Sequence, residues 1–118
     1  MKILLVDDDP FVGEMLAMVL EACDYEVESV ESGEAALEKF RSGDFGLVIS
    51  DMNMPGMDGL ELIGRLKQAE RKIPCILLTG DDTSGRSDPG VELYLLKDEN
   101  VQEAVVEAVG KLLGGSGR

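Results

Sequence analysis

The chain has 118 residues, 44% of them apolar and 30% charged, enough for one domain with one core and a solvated surface rather than a disordered segment. Its formal net charge of −13 argues against a free-standing nucleic-acid binder and against an anionic membrane as partner. Histidine is absent, which excludes histidine triads, histidine metal sites and a histidine pH switch, and places any phosphohistidine in this protein's chemistry on another protein.

From the first residues onward, short apolar runs alternate with helical patterns. Lys2 to Val6 reads as a buried strand, with no basic, long apolar signal segment and no stretch able to span a bilayer. Asp9 then offers a helix N-cap and Pro10 a first helical position, and Phe11, Val12, Met15, Leu16, Val19 and Leu20 follow at helical spacing. Val27 to Val30 is a weaker strand. Ser32 caps a helix with Ala36, Leu37 and Phe40 inward, and Gly43 ends it. Leu47-Val48-Ile49 is the third strand, and Asp58 caps a helix carrying Leu62, Ile63 and Leu66. Pro74 precedes the strand Cys75 to Leu78, and Val91 to Leu96 is the fifth strand. The stripe Val101, Ala104, Val105, Ala108, Val109 and Leu112 is the last helix. Cys23 and Cys75 stand far apart without CxxC spacing; both are expected as buried core thiols, which points to a reducing, cytoplasmic compartment.

Strands alternating with helices predict an α/β fold with a doubly wound, five-stranded parallel sheet in the flavodoxin-like order 2-1-3-4-5. Residues 1–113 are read as one domain and 114–118 as a flexible tail or linker. One stretch breaks the alternation. Residues 80–90, GDDTSGRSDPG, have no apolar periodicity, so the helix due between the fourth and fifth strands is expected to be absent or very short.

The residues at the strand ends carry the chemistry. Asp7 and Asp8 follow the first strand, Asp51 the third, Thr79 the fourth and Lys97 the fifth. Right-handed crossovers bring all these ends to one edge, where open α/β sheets bind ligands. Clustered carboxylates need a cation, and oxygen donors without histidine or cysteine favour Mg²⁺, with Mn²⁺ as an acceptable substitute. A carboxylate can also attack phosphorus, and phosphoryl transfer needs mainly positioning and charge neutralisation. Each residue alone has an ordinary explanation as a cap, a loop acid or a surface lysine; their joint occurrence after four strands does not.

The ordered motifs ILLVDDDP, LVISDMNMPGMDG, ILLTG and YLLK resemble those of the receiver domains of two-component response regulators, and the resemblance covers nearly the whole chain. It implies that Asp51 is the phosphoacceptor. It also implies that Asp7, Asp8, Asp51 and the backbone carbonyl of Asn53 hold Mg²⁺, with Asp8 a direct ligand and Asp7 acting through water. Thr79 and Lys97 would contact the phosphoryl oxygens, Thr79 and Tyr94 would form the switch, and Gly80 would keep the site open. The implied partners are a sensor histidine kinase or histidine phosphotransfer protein and a downstream effector, with no direct nucleic-acid binding and no membrane. Catalysis would be limited to the domain's own phosphorylation and dephosphorylation, so no turnover enzyme is expected.

The sequence departs from that pattern twice. Most receivers carry a cis proline after the lysine; here Asp98 follows Lys97, a trans bond is expected because a cis bond costs about 3 kcal/mol before any other residue, and Asp98 is read as a cap for the last helix. The second departure is the segment 80–90, which looks similar to a variant class of receivers without that helix and is expected to order on phosphorylation. These departures motivate an alternative, a phosphorylation-independent interaction or dimerisation module. Other motifs fail: the apparent calcium loop after Asp51 has Leu62 where glutamate belongs, and a dehalogenase-type phosphatase needs a second aspartate where Asn53 stands.

Overall fold

The computed structural model describes residues 2–70, 72–80 and 87–113. Five strands, β1 (Lys2–Val6), β2 (Glu26–Val30), β3 (Leu47–Asp51), β4 (Cys75–Thr79) and β5 (Leu93–Leu96), form a single parallel sheet in the order β2-β1-β3-β4-β5. The helices are α1 (Pro10–Glu21), α2 (Gly33–Ser42), α3 (Gly59–Ala69) and α4 (Val101–Leu113). The expected topology is therefore the observed one.

The near-continuous apolar runs of β1, β3 and β4 reflect burial on both faces. Alternate residues serve opposite cores. Ile3, Leu5, Leu47, Ile49, Ile76 and Leu78 meet Leu16 and Leu20 of α1 and Val105 and Val109 of α4. Leu4, Val6, Val48, Cys75 and Leu77 meet Ala36 of α2 and Leu62, Ile63 and Leu66 of α3. The edge strands β2 and β5 are only partly buried.

Local signals start α1, α2 and α3 as expected. Asp9 accepts the amide of Phe11, Ser32 that of Ala35 and Asp58 that of Glu61. Gly43 is the C-cap of α2. Three expectations need correction. Asp98 does not cap α4: its amide turns back onto Leu96 and its carboxylate accepts the Asn100 amide, so the helix starts later, at Val101, with Asn100 beside it accepting the Ala104 amide. Cys75 is buried but Cys23 is exposed, because it falls in the turn after α1, where Cys23 and Asp24 donate back to Leu20 and Glu21 and Asp24 takes a φ of +72°. The fifth strand starts at Leu93 rather than Val91, because the Val91 amide is drawn into a turn on the Asp88 carbonyl.

No helix lies between β4 and β5 among the described residues. Residues 81–86, within the segment expected to order on phosphorylation, and the expected tail 114–118 lie outside those described. What leads into β5 is seated on α3. Gly90 has a φ of +88°, and a Cβ there would stand 3.1 Å from Ile63 Cγ2 and 3.3 Å from Lys67 Cγ. The Glu92 carboxylate accepts the Cys75 amide at 2.8 Å and pairs with Lys67 at 2.8 Å.

At the other end of α3, Gly59 allows the helix to start against the end of β3. Its amide donates to the Met52 carbonyl at 2.9 Å, and an added Cβ would collide with the carbonyl oxygen of Asp51 and stand 3.0 Å from Met52 Cα. These are backbone atoms, which cannot swing aside. Gly59→Ala is therefore expected to cost on the order of 1–3 kcal/mol, read as a lower urea midpoint at unchanged slope.

Candidate functional site

The strand ends meet as the topology requires. Asp51 and Thr79 are the last residues of β3 and β4, 5% and 2% exposed. Asp7 follows β1 and is fully buried, whereas Asp8 beside it faces solvent. Carboxylate oxygens of Asp7, Asp8 and Asp51 all lie within 4.8 Å of one another. Lys97 follows β5, and its Nζ reaches Asp7 Oδ2 at 3.0 Å and Asp51 Oδ2 at 3.2 Å.

The partners of Asp7 show how the cluster is held. Its amide donates to the Val30 carbonyl at 3.1 Å, its Oδ1 accepts the Asp9 amide at 2.9 Å, and its Oδ2 takes Lys97. Three consecutive aspartates thus divide the labour: Asp7 is locked inward, Asp8 is turned outward beside it, and Asp9 caps α1. No buried side-chain oxygen or nitrogen among the described residues lacks a partner.

The remaining expected residues lie around this cluster. Thr79 accepts the Lys97 amide on its carbonyl at 2.8 Å, which ties the two strand ends together. Asn53 is exposed, two residues past β3 in the turn toward α3. Gly80 is exposed, and a Cβ there would meet none of the described residues within 4 Å. Tyr94 is half-buried against the α2/α3 core, with its hydroxyl donating to Asp88 Oδ2 at 2.6 Å. The described residues contain no cis peptide bond, so Lys97–Asp98 is trans, as expected. Sequence reasoning missed Gly59, Asp88 and Glu92. The glycine after Asp58 and the Pro89-Gly90 turn were visible, but what they would press against was not.

Burial is the largest influence on Asp51 and pushes its carboxyl up to about 6; the Asp7 charge adds to the rise and Lys97 opposes it. For Lys97, burial favours the neutral amine, but its bonds and charge contacts with Asp7 and Asp51 prevail and hold the ammonium above its ordinary value. The donor set fits a hard cation. It offers three carboxylates without histidine or cysteine, two of them buried and one open to solvent.

A raised carboxylate pKa means that the folded state holds the Asp51 proton more tightly than the unfolded state does. Stability from this group is greatest below about pH 4 and is lost as pH rises through 6. In metal-free buffer, Asp51→Asn should therefore be more stable than wild type at pH 7, by roughly 2–3 kcal/mol, with the gap closing toward pH 4. Parallel urea denaturation of the two proteins across that range measures it.

The model of the response regulator receiver domain family matches residues 3–109. The chain is 32% identical over 118 residues to the gliding motility regulatory protein of Myxococcus xanthus, covering 95% of this chain and 15% of that protein. It spans 15–19% of the length of the first curated relatives it matches. The response regulator TrrA of Thermotoga maritima, solved in complex with Mg²⁺-BeF, is 40% identical with a TM-score of 0.84, covering 94% of this chain and 97% of that one. TrrA has also been solved in complex with the histidine kinase ThkA, again with a TM-score of 0.84 and 40% identity, covering 95% of this chain and 97% of that one. The chain belongs to the response regulator receiver domain family of two-component signalling.

Proposed function

We propose that this receiver domain is a phosphorylation-controlled switch that accepts a phosphoryl group on Asp51 from a phosphohistidine donor. The observation that carries the reading is the Lys97 ammonium between Asp7 and Asp51 at 3.0 and 3.2 Å, with Asp8 completing an oxygen cluster. A carboxylate oxygen of Asp51 attacks phosphorus while the donor's phosphorus–nitrogen bond breaks and the imidazole leaves with the electron pair. Hydrolysis reverses the modification: water attacks phosphorus, its proton passes to solvent, and Asp51 is released as a carboxylate with inorganic phosphate. Asp7, Asp8, Asp51 and the Asn53 carbonyl would hold Mg²⁺ or Mn²⁺, which neutralises phosphoryl charge when bound. Lys97 supplies a second positive charge and Thr79 a hydroxyl donor on the neighbouring strand. TrrA in complex with Mg²⁺-BeF supports this assignment by analogy. Gly80 leaves the approach open, and Tyr94 is the aromatic partner of Thr79 in reporting the modification.

A surface for the donor accompanies the site. Phe11 and Met18 of α1 are 75% and 68% exposed. They border a groove floored by Met15, Val19 and Val106, between α1 and α4, and rimmed by Glu14, Glu103 and Glu107. No lysine or arginine occurs from residue 3 to residue 38. An apolar floor with an acidic rim suits a helical donor surface with an apolar centre and a basic border. The complex of TrrA with a histidine kinase makes a kinase the favoured donor for this chain.

Incubation with acetyl phosphate and Mg²⁺ should give a labile phosphoryl adduct by intact mass, abolished by Asp51→Asn and by chelation. A stable metal complex without adduct would instead favour the phosphorylation-independent module. Phe11→Glu and Met18→Glu together should slow transfer from an autophosphorylated histidine kinase at least about tenfold, the loss of two exposed apolar anchors that the donor would cover, while leaving the acetyl phosphate reaction unchanged.

A further inference from the structure

Lys97 stands at a joint between β5 and α4. Its amide donates to the Thr79 carbonyl at 2.8 Å, which extends the β4–β5 ladder one residue past the strand. The next amide, that of Asp98, folds back and donates to the Leu96 carbonyl at 3.0 Å. A bond from a residue to the carbonyl two before it closes a γ-turn, here centred on Lys97. Asp24 is the single non-glycine residue with positive φ among the described residues, so this turn is the inverse form that commonly ends strands. Asp98 then commits its other groups forward. Its carboxylate accepts the Asn100 amide at 2.9 Å, and its carbonyl accepts the amide of Val101, the first residue of α4, at 3.1 Å.

The direction in which a long, flexible lysine leaves the backbone is set at its Cα, and here that Cα is clamped from both sides. The ammonium arrives at Asp7 and Asp51. We propose that Asp98 is a positioning residue for Lys97: its amide closes the turn that aims the lysine, and its carboxylate fixes that turn to the start of α4. A trans peptide bond with an N–H to give thereby holds the lysine at the cluster. Proline at this position could not make the same turn, because it has no N–H, and the surroundings here are built on a trans bond rather than on the cis Lys–Pro arrangement of most receivers. A capping role alone would make Asp98 matter to stability but not to where the Lys97 ammonium sits.

The consequence for phosphoryl transfer rests on the reading of Asp51 as the acceptor; the consequence for the Lys97 contact does not. Isotope-edited NMR of the lysine ammonium groups in metal-free protein, with Lys97 assigned from Lys97→Arg, tests the contact directly. Asp98→Pro, which removes the amide donor and the carboxylate, should move the Lys97 signal to the position of unpaired lysines. Asp98→Ala, which keeps the amide, should move it part of the way, and Asp98→Asn should leave it in place. With acetyl phosphate and Mg²⁺, Asp98→Pro should slow phosphorylation about tenfold, but by less than about twofold in a Lys97→Ala background. An unchanged Lys97 signal in Asp98→Pro, or an equal fold-loss in both backgrounds, overturns the proposal. Should Asp98→Pro fail to fold, Asp98→Ala decides: a shifted signal with about a threefold slower reaction supports the role, and an unshifted signal ends it. If the wild-type chain takes no phosphoryl group, the functional reading falls and the NMR result alone decides this one.

Discussion

Two carboxylates, Asp7 and Asp51, are buried at the edge of this sheet with the ammonium of Lys97 between them, and the functional half of the molecule is organised around that contact. Like charges this close and this dry would shed a proton-free state without a cation. Lys97 supplies part of the compensation, yet burial first and then the Asp7 charge still push the Asp51 carboxyl up to about 6, so the cluster would gain from a further positive charge. That residual demand is the physical basis of the cluster's fit to a hard divalent ion. A fully neutralised cluster would be a more stable fold and a poorer site.

The contact spans residues ninety positions apart in the chain, so it depends on the register of the whole sheet. β1, β3 and β4 are buried on both faces, and their interlocking side chains leave little freedom for slippage. β5 is the weaker member, partly exposed and without a helix before it among the described residues. Glu92, Lys67 and Gly90 provide its substitute anchorage on α3. Because Lys97 sits at the end of β5, what secures this strand also secures the ammonium.

The departures from the usual receiver pattern therefore fall on one side of the molecule. Asp7, Asp8, Asp51 and Thr79 stand on the rigid centre of the sheet. Asp98, Asp88 and the connector to β5 stand at its edge, where Tyr94 is bonded to Asp88 and Lys97 is clamped by Asp98. The acidic cluster stands on the buried strands of the sheet, and the parts in which this chain departs from the family motifs stand at its edge. Its acidic α1 surface, with Phe11 and Met18 exposed, lies on the face of the sheet opposite α2 and α3 and offers a separate route of approach.

Much was legible from residue order alone, because the local rules and the global fold agree. Five apolar runs, three caps and the acids, threonine and lysine after the strands were enough to predict the sheet order and to bring Asp7, Asp8, Asp51, Thr79 and Lys97 to one edge. The trans bond at Asp98 followed from the absence of proline. Cys23 was misplaced because apolar neighbours in sequence do not reveal that a turn will carry a residue outward. Gly59, Asp88 and Glu92 were invisible as contributors, since their roles exist only against Asp51, Tyr94, Cys75 and Lys67, which the chain reaches by folding. Sequence determined which chemical groups stand at the strand ends, through periodicities that operate over a few residues. Tertiary structure decided which of Asp7, Asp8 and Asp9 faces inward, how Lys97 is aimed and what holds β5, because those depend on long-range contacts that no local pattern encodes.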